Sequence, residues 1–167
     1  MPKSSVAAAV VIGMLASAAV PAATRTTSMS VRATVVDTCL ISASALTFPP
    51  YVGGGGAVAG TSTVSLRCSN GAIYAVGLSA GSTAGTTMAQ RLLAGGTSTL
   101  QYNLYTSNAY TAVWGDGSNG SSVVAGYSTG FATPIALTIY GQVPDSAANK
   151  LAPVGTYADT ILVVLDY

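Results

Sequence analysis

The chain has 167 residues, half of them apolar, and only 7% carry charge. That is enough for one domain with a sizeable core, and too apolar for a solvated coil. Six Lys and Arg against five Asp leave no basic surface, which excludes binding to nucleic acid by displacement of counterions.

Residues 1–23 read as a signal peptide. "MPKSS" supplies a positive charge, Val6 to Ala16 an apolar core, and "ASAAVPAA" small residues for cleavage, after Ala22 or Ala23. Ser17 and Pro21 interrupt the run, and its core falls short of the roughly 20 apolar residues of a spanning helix. Stable membrane insertion after cleavage is therefore not expected. Loss of Lys3 leaves a mature domain, 24–167, that is formally neutral.

Period-2 alternation dominates the mature domain, with no convincing amphipathic helix. In "MSVRATVVDTCLI", Met29, Val31, Ala33, Val35, Cys39 and Ile41 share a face, which predicts a first strand. "TSTVSLRC" alternates with Val64, Leu66 and Cys68 inward. Asn70-Gly71 comes next, the preferred pair for a type I′ hairpin, so "IYAVGLS" is expected to fold back as its partner, with Tyr74, Val76 and Leu78 inward. "LQYNLYT", "YTAVW" and "PIALTIY" supply further strands, with Leu100, Tyr102 and Leu104, then Tyr110, Ala112 and Trp114, then Ile135, Leu137 and Ile139 inward. Gly155 to Tyr167 reads as the last strand, with Ile161, Val163, Leu165 and Tyr167 on one face. About seven strands separated by Gly-rich turns define a single all-β sandwich.

Two cysteines in an exported chain, both on apolar strand faces, are expected to pair. A Cys39–Cys68 bridge stabilises by roughly 3.5 kcal/mol in the chain-entropy model. No His and no Glu are present, so a two-Cys metal site lacks further ligands and no catalytic triad can be built. The five Asp are scattered, and neither an enzyme nor a cofactor is expected. "WGDGSNGS" has one acidic residue and lacks the terminal carboxylate of a calcium loop, so it reads as a polar turn. "GGGG" at Gly53 to Gly56 lacks the Lys-Ser/Thr of a phosphate loop and reads as a flexible connection, and the "NGS" at Asn119 as a chance sequon. Tyr74, Tyr102 and Tyr110 fall on inward positions and read as core, their hydroxyls at the rim. Tyr105, on the opposite face, is the better candidate for a surface contact.

The succession "VRATVVDTCLISASALTF", "VSLRCSNGAIYAVGLSAG", "RLLAGGTSTLQYNLYTSNAYTAVWGDG", "IYGQVP" and "GTYADTILVVLDY" resembles the spore coat protein U domain family, which includes the Csu-type subunits of archaic chaperone–usher pili. The resemblance covers roughly residues 28 to 167. It implies an incomplete immunoglobulin-like β-sandwich, exported to the periplasm and completed by a donor strand from another subunit. A periplasmic chaperone, an outer-membrane usher and neighbouring pilin subunits are the implied partners, and a cell-surface fibre supporting adhesion and biofilm formation the implied destination. On this reading Thr27, Met29 and Val31, within about 24–33, belong to the donor strand. Ile161, Val163, Leu165 and Tyr167 form the wall of the acceptor groove and the edge offered to the chaperone. Two other readings are a self-contained secreted coat or matrix protein and an extracellular carbohydrate-binding or adhesion module.

Overall fold

The structure, a computed structural model, describes residues 21–167; the signal peptide read at 1–23 lies almost entirely outside them. Residues 21–34 belong to one unit and Val35–Tyr167 to another, and each is described by itself. The 21–34 segment is exposed throughout and contains no strand. The alternation of Met29, Val31, Ala33 and Val35 thus makes no strand here, because no backbone pairs with it. The first strand begins only at Cys39.

The larger unit is all β apart from one 3-10 turn, Asn149–Leu151. Its strands are β1 (Cys39–Ala43), β2 (Val58–Cys68), β3 (Ile73–Leu78), β4 (Arg91–Gly95), β5 (Ser98–Tyr105), β6 (Val124–Tyr127), β7 (Ile135–Val143) and β8 (Val163–Asp166). They form a five-stranded sheet, β1-β2-β7-β5-β4, and a three-stranded sheet, β6-β3-β8, all antiparallel. Among the described residues no helix is long and apolar enough to cross a membrane.

The parity read from the sequence places the core. Val64, Leu66 and Cys68 of β2 face Tyr74, Val76 and Leu78 of β3 across the two layers, and all six are buried. Register reinforces this: Val64 pairs with Leu137, Leu66 with Ile135, Val76 with Leu165, and Leu78 with Val163. Apolar side chains therefore stack along one face of each sheet, where cross-strand neighbours contribute most.

Four sequence expectations are corrected. First, β2 and β3 are not a hairpin. The chain turns through Ser69–Ala72 and passes to the other sheet. Gly71 has φ +82° but Asn70 has no positive φ, so the I′ geometry that would fold β3 back onto β2 is absent. Second, "YTAVW" is no strand. Tyr110 takes φ +54°, which breaks an extended run, and Val113 and Trp114 make only isolated bridges. Third, the last strand is short: of Gly155 to Tyr167 only Val163–Asp166 pair with β3. Fourth, β4 and β6 bring the strand number to eight. β4 forms a tight hairpin with β5 through Gly96, at φ +62°, and Thr97.

A pair of glycines shapes the region that matters most. Gly60 of β2 and Gly141 of β7 are register partners. A Cβ at Gly60 would lie 2.8 Å from the Thr47 carbonyl oxygen, and one at Gly141 2.8 Å from Leu46 and 2.9 Å from Phe48. With no side chains there, the segment after β1 lies directly on the sheet.

Candidate binding groove

The two sheets differ by two strands, and the mismatch leaves a void. An apolar groove of about 1050 Å³ runs between residues 43–53, from the end of β1 onward, and residues 152–163, up to the start of β8. Its floor is the inward face of the larger sheet: Leu93, Leu100, Tyr102, Leu104, Ile139 and Val143. Protein interiors contain few voids larger than a water molecule, so this is not a packing defect. Beside it, β8 pairs only with β3, and no described strand pairs with its other edge. The free edge offers unpaired backbone groups next to apolar floor.

Each lip is tied down by one aspartate. On the first lip, Asp145 Oδ1 accepts the Tyr51 hydroxyl at 2.5 Å and the Gly54 amide at 2.9 Å. Lys150 Nζ lies 3.4 Å from Oδ2. These donors, the Tyr51 bond foremost, hold the Asp145 carboxyl below its usual range. The Tyr51 phenol is pushed up to about 12 by desolvation, with Asp145 adding to it.

On the second lip, Asp159 Oδ1 accepts from both the amides and the hydroxyls of Ser82 and Thr83, at 2.9 to 3.1 Å. Its Oδ2 accepts the Tyr102 hydroxyl at 2.8 Å. Burial alone would raise the Asp159 carboxyl, but the bonds from Tyr102 and Ser82 outweigh it and the net shift is downward. Burial and the Asp159 carboxylate together push the Tyr102 phenol well up. Ala158 adds a two-bond bridge to Ala94, on the outer edge of β4.

Behind the groove floor, where Arg91 is the register partner of Tyr102, lies a polar node that the sequence does not reveal. Arg91 is fully buried. Its guanidinium donates to the Ser79 carbonyl from Nε and Nη2, to the Trp114 carbonyl from Nη2, and to Asn103 Oδ1 from Nη1. Desolvation lowers its pKa, opposed by the fields of Tyr102 and Asp159. Trp114 is buried beside it. Its indole donates to the Val76 carbonyl, and its backbone amide to Leu104. One short segment thus bonds to both sheets.

The residues expected from the sequence to matter are only partly brought together. Cys39 and Cys68 are register partners and are joined by a disulfide. Ile161 and Val163 line the groove. Leu165 packs on the core from the same face of β8, outside the groove, and Tyr167 is 60% exposed. Met29 and Val31 are 83% and 80% exposed, and Thr27 is exposed too. Tyr105 is half-buried and packs edge-on against Tyr110, which makes it a poor free contact residue. In the "WGDG" turn, Asp116 accepts from Ser118 and is held below its ordinary pKa by those bonds. Leu46, Phe48, Tyr157, Asp145 and Asp159 gave no sequence signal of a place at the groove. Among the described residues no cluster of three or more His, Cys, Asp or Glu is placed to hold a metal ion.

The fold and groove define a class: an incomplete immunoglobulin-like sandwich with an open edge. The model of the Spore Coat Protein U domain matches residues 25–164, and the chain belongs to that family. Among solved structures it is similar to a chain of the CsuC-CsuE chaperone-tip adhesion subunit pre-assembly complex, from archaic chaperone-usher Csu pili of Acinetobacter baumannii. That match has 21% identity and a TM-score of 0.58 over 80% of this chain, and covers 41% of the other chain, less than half its length. No curated protein matches.

Proposed function

We propose that the chain is a structural subunit of a surface pilus, assembled by donor-strand exchange on the chaperone–usher pathway and supporting adhesion and biofilm formation. The observation that carries the reading is the apolar groove beside the unpaired edge of β8. A strand laid there gains ladder hydrogen bonds from β8 and buries alternate side chains on Leu100, Leu104, Ile139 and Val163. Each apolar side chain so buried contributes about 1.5–3 kcal/mol.

The 21–34 segment supplies the matching half. Thr27, Met29 and Val31 share one parity, alternate with Ser28, Ser30 and Arg32, and are exposed. Seated in the groove of another copy or of a related subunit, this segment builds a head-to-tail contact, and such contacts propagate as open filaments. A periplasmic chaperone fills the same groove in transit, Ile161 and Val163 forming its wall, and an outer-membrane usher presides over the exchange. Family membership and the fold likeness to a chaperone-bound pilus subunit support this.

Deleting residues 24–33 tests the proposal. The shortened subunit is expected to be recovered from the periplasm in complex with its chaperone and to form no multimers. Multimers of undiminished length would contradict the assignment of the donor.

A further inference from the structure

Both lips of the groove are long, irregular segments with few backbone bonds of their own. The first, 43–53, is tied near its start by Ser44, which bonds Thr63 and Ser62. Its far end depends on Asp145, which takes the Tyr51 hydroxyl and the Gly54 amide together. The second, 152–163, touches the larger sheet at Ala158 and the end of β3 at Leu162. Between those points the Thr160 amide donates to Ser82 Oγ, and Asp159 gathers four donors from Ser82 and Thr83 and a fifth from Tyr102.

Tyr102 is at once groove floor and hydrogen-bond donor to a lip. A side chain pressing on its ring therefore acts on Asp159. Residue 81 is built around the same carboxylate: a Cβ at Gly81 would overlap Asp159 Oδ2 and crowd its carboxyl carbon, and its φ of +108° already favours glycine. Only a residue without a side chain lets the carboxylate reach the 82–83 amides.

We propose that Asp145 and Asp159 are positioning residues, one for each lip, that fix the groove in the shape an incoming strand needs and so govern how long that strand stays. Bonds to an ionised acceptor are roughly twice as strong as neutral ones, which suits a carboxylate to hold a segment that has little else. Substitution at either site frees one lip and leaves the packed end of the sandwich intact. The inference rests on the groove being a strand acceptor.

The test uses full-length protein carrying Asp159→Ala or Asp145→Ala, with Asp159→Asn and Asp145→Asn as milder partners in case an alanine variant fails to fold. Two quantities are read: amide hydrogen exchange along the chain, and the temperature at which multimers collapse in SDS. Asp159→Ala is expected to speed exchange across 152–162 at least tenfold, to leave 49–55 and β2 unchanged, and to lower the collapse temperature. Asp145→Ala is expected to speed exchange across 49–55 instead, with the same effect on the multimers; the asparagine variants fall between.

Uniform acceleration that includes β2 and β3 would mean a merely structural role and overturn the inference. So would lip-specific acceleration with multimers of unchanged stability. If the unsubstituted protein forms no multimers, the acceptor reading itself fails, and this inference with it. Multimers in the parent with unchanged variants would remove the inference alone.

Discussion

The end of the sandwich around Trp114 and the end around the groove are built from the same two sheets, yet only one is finished. At the first, Val64, Leu66, Cys68, Val76 and Trp114 are 0–1% exposed, and the Trp114 indole donates to the Val76 carbonyl. At the second, Leu100, Tyr102, Leu104 and Ile139 keep 4–7% exposure beneath lips that are mostly exposed. The difference lies in what spans the sheets. The 113–115 segment bonds to Leu104 on one sheet and to Leu78 on the other. Over the groove the 152–163 lip bonds to the edge strand β4 at Ala158 and to the end of β3 at Leu162, but it leaves the floor between them open, and β8 remains an edge. A domain can therefore be closely packed at one end while the other stays open.

Substitutions at the two ends should separate fold stability from assembly. The largest effect on the fold is expected from Trp114→Ala, about 3–5 kcal/mol, because it leaves a cavity and removes the indole bond to the Val76 carbonyl. Thermal unfolding of the chaperone-free monomer would measure it. A loss below about 1 kcal/mol would mean this end does not hold the sandwich together. Cys68→Ser removes the tie between β1 and β2 and is expected to cost roughly 3.5 kcal/mol. Folded periplasmic yield should fall sharply; normal yield with an unchanged melting temperature would count against it.

At the groove the order reverses. Leu93 lines the floor and is half-buried, so Leu93→Ala should cost the monomer about 1 kcal/mol or less while clearly lowering the temperature at which multimers dissociate. Leu66→Ala, at the packed end, should cost the monomer about 2–5 kcal/mol. Equal effects of the two on monomer melting would erase the contrast.

The smallest effect is one of pH. The carboxyls of Asp145 and Asp159 are held below their unfolded value near 3.9, so their contribution is complete above it. It is lost as pH falls through the lower folded values. Lys150 and Tyr51 face Asp145, and Tyr102 faces Asp159 with Arg91 behind; both phenols are shifted upward, away from that window. Protection of the lip amides, taken relative to the intrinsic exchange rate at each pH, should fall below about pH 4 before that of β2. Simultaneous loss would show that the lips are not the weaker region.

The legible part of this fold is the part that depends on parity. Val64, Leu66, Tyr74, Val76, Leu78, Leu100, Tyr102 and Leu104 are buried as alternation requires, because a strand one residue out of phase would turn its apolar face to water. Which strands pair was less visible. Asn70-Gly71 signals a turn, and a turn is there, but a single dihedral at Asn70 decides between a hairpin and a passage to the other sheet. Tyr110 at positive φ breaks a run that alternation alone would extend. The groove could not be read as a whole, since its lips lie about a hundred positions apart and meet only through topology. Ile161 and Val163 are legible as one apolar face of the last strand. Asp145 and Asp159 were not, because a lone Asp in a loop gives no sign of which amides it will collect. Arg91 was hidden likewise: an Arg before "LLAG" reads as a solvated strand end.

The most direct test of the central claim is electrophoresis in SDS of protein extracted from the cell surface, with and without boiling and with no reductant. A ladder of multimers that collapses to monomer on boiling is predicted, since the proposed contact between subunits is a non-covalent strand in the groove. A single monomer band in both lanes would contradict it and mark the sandwich as a self-contained domain.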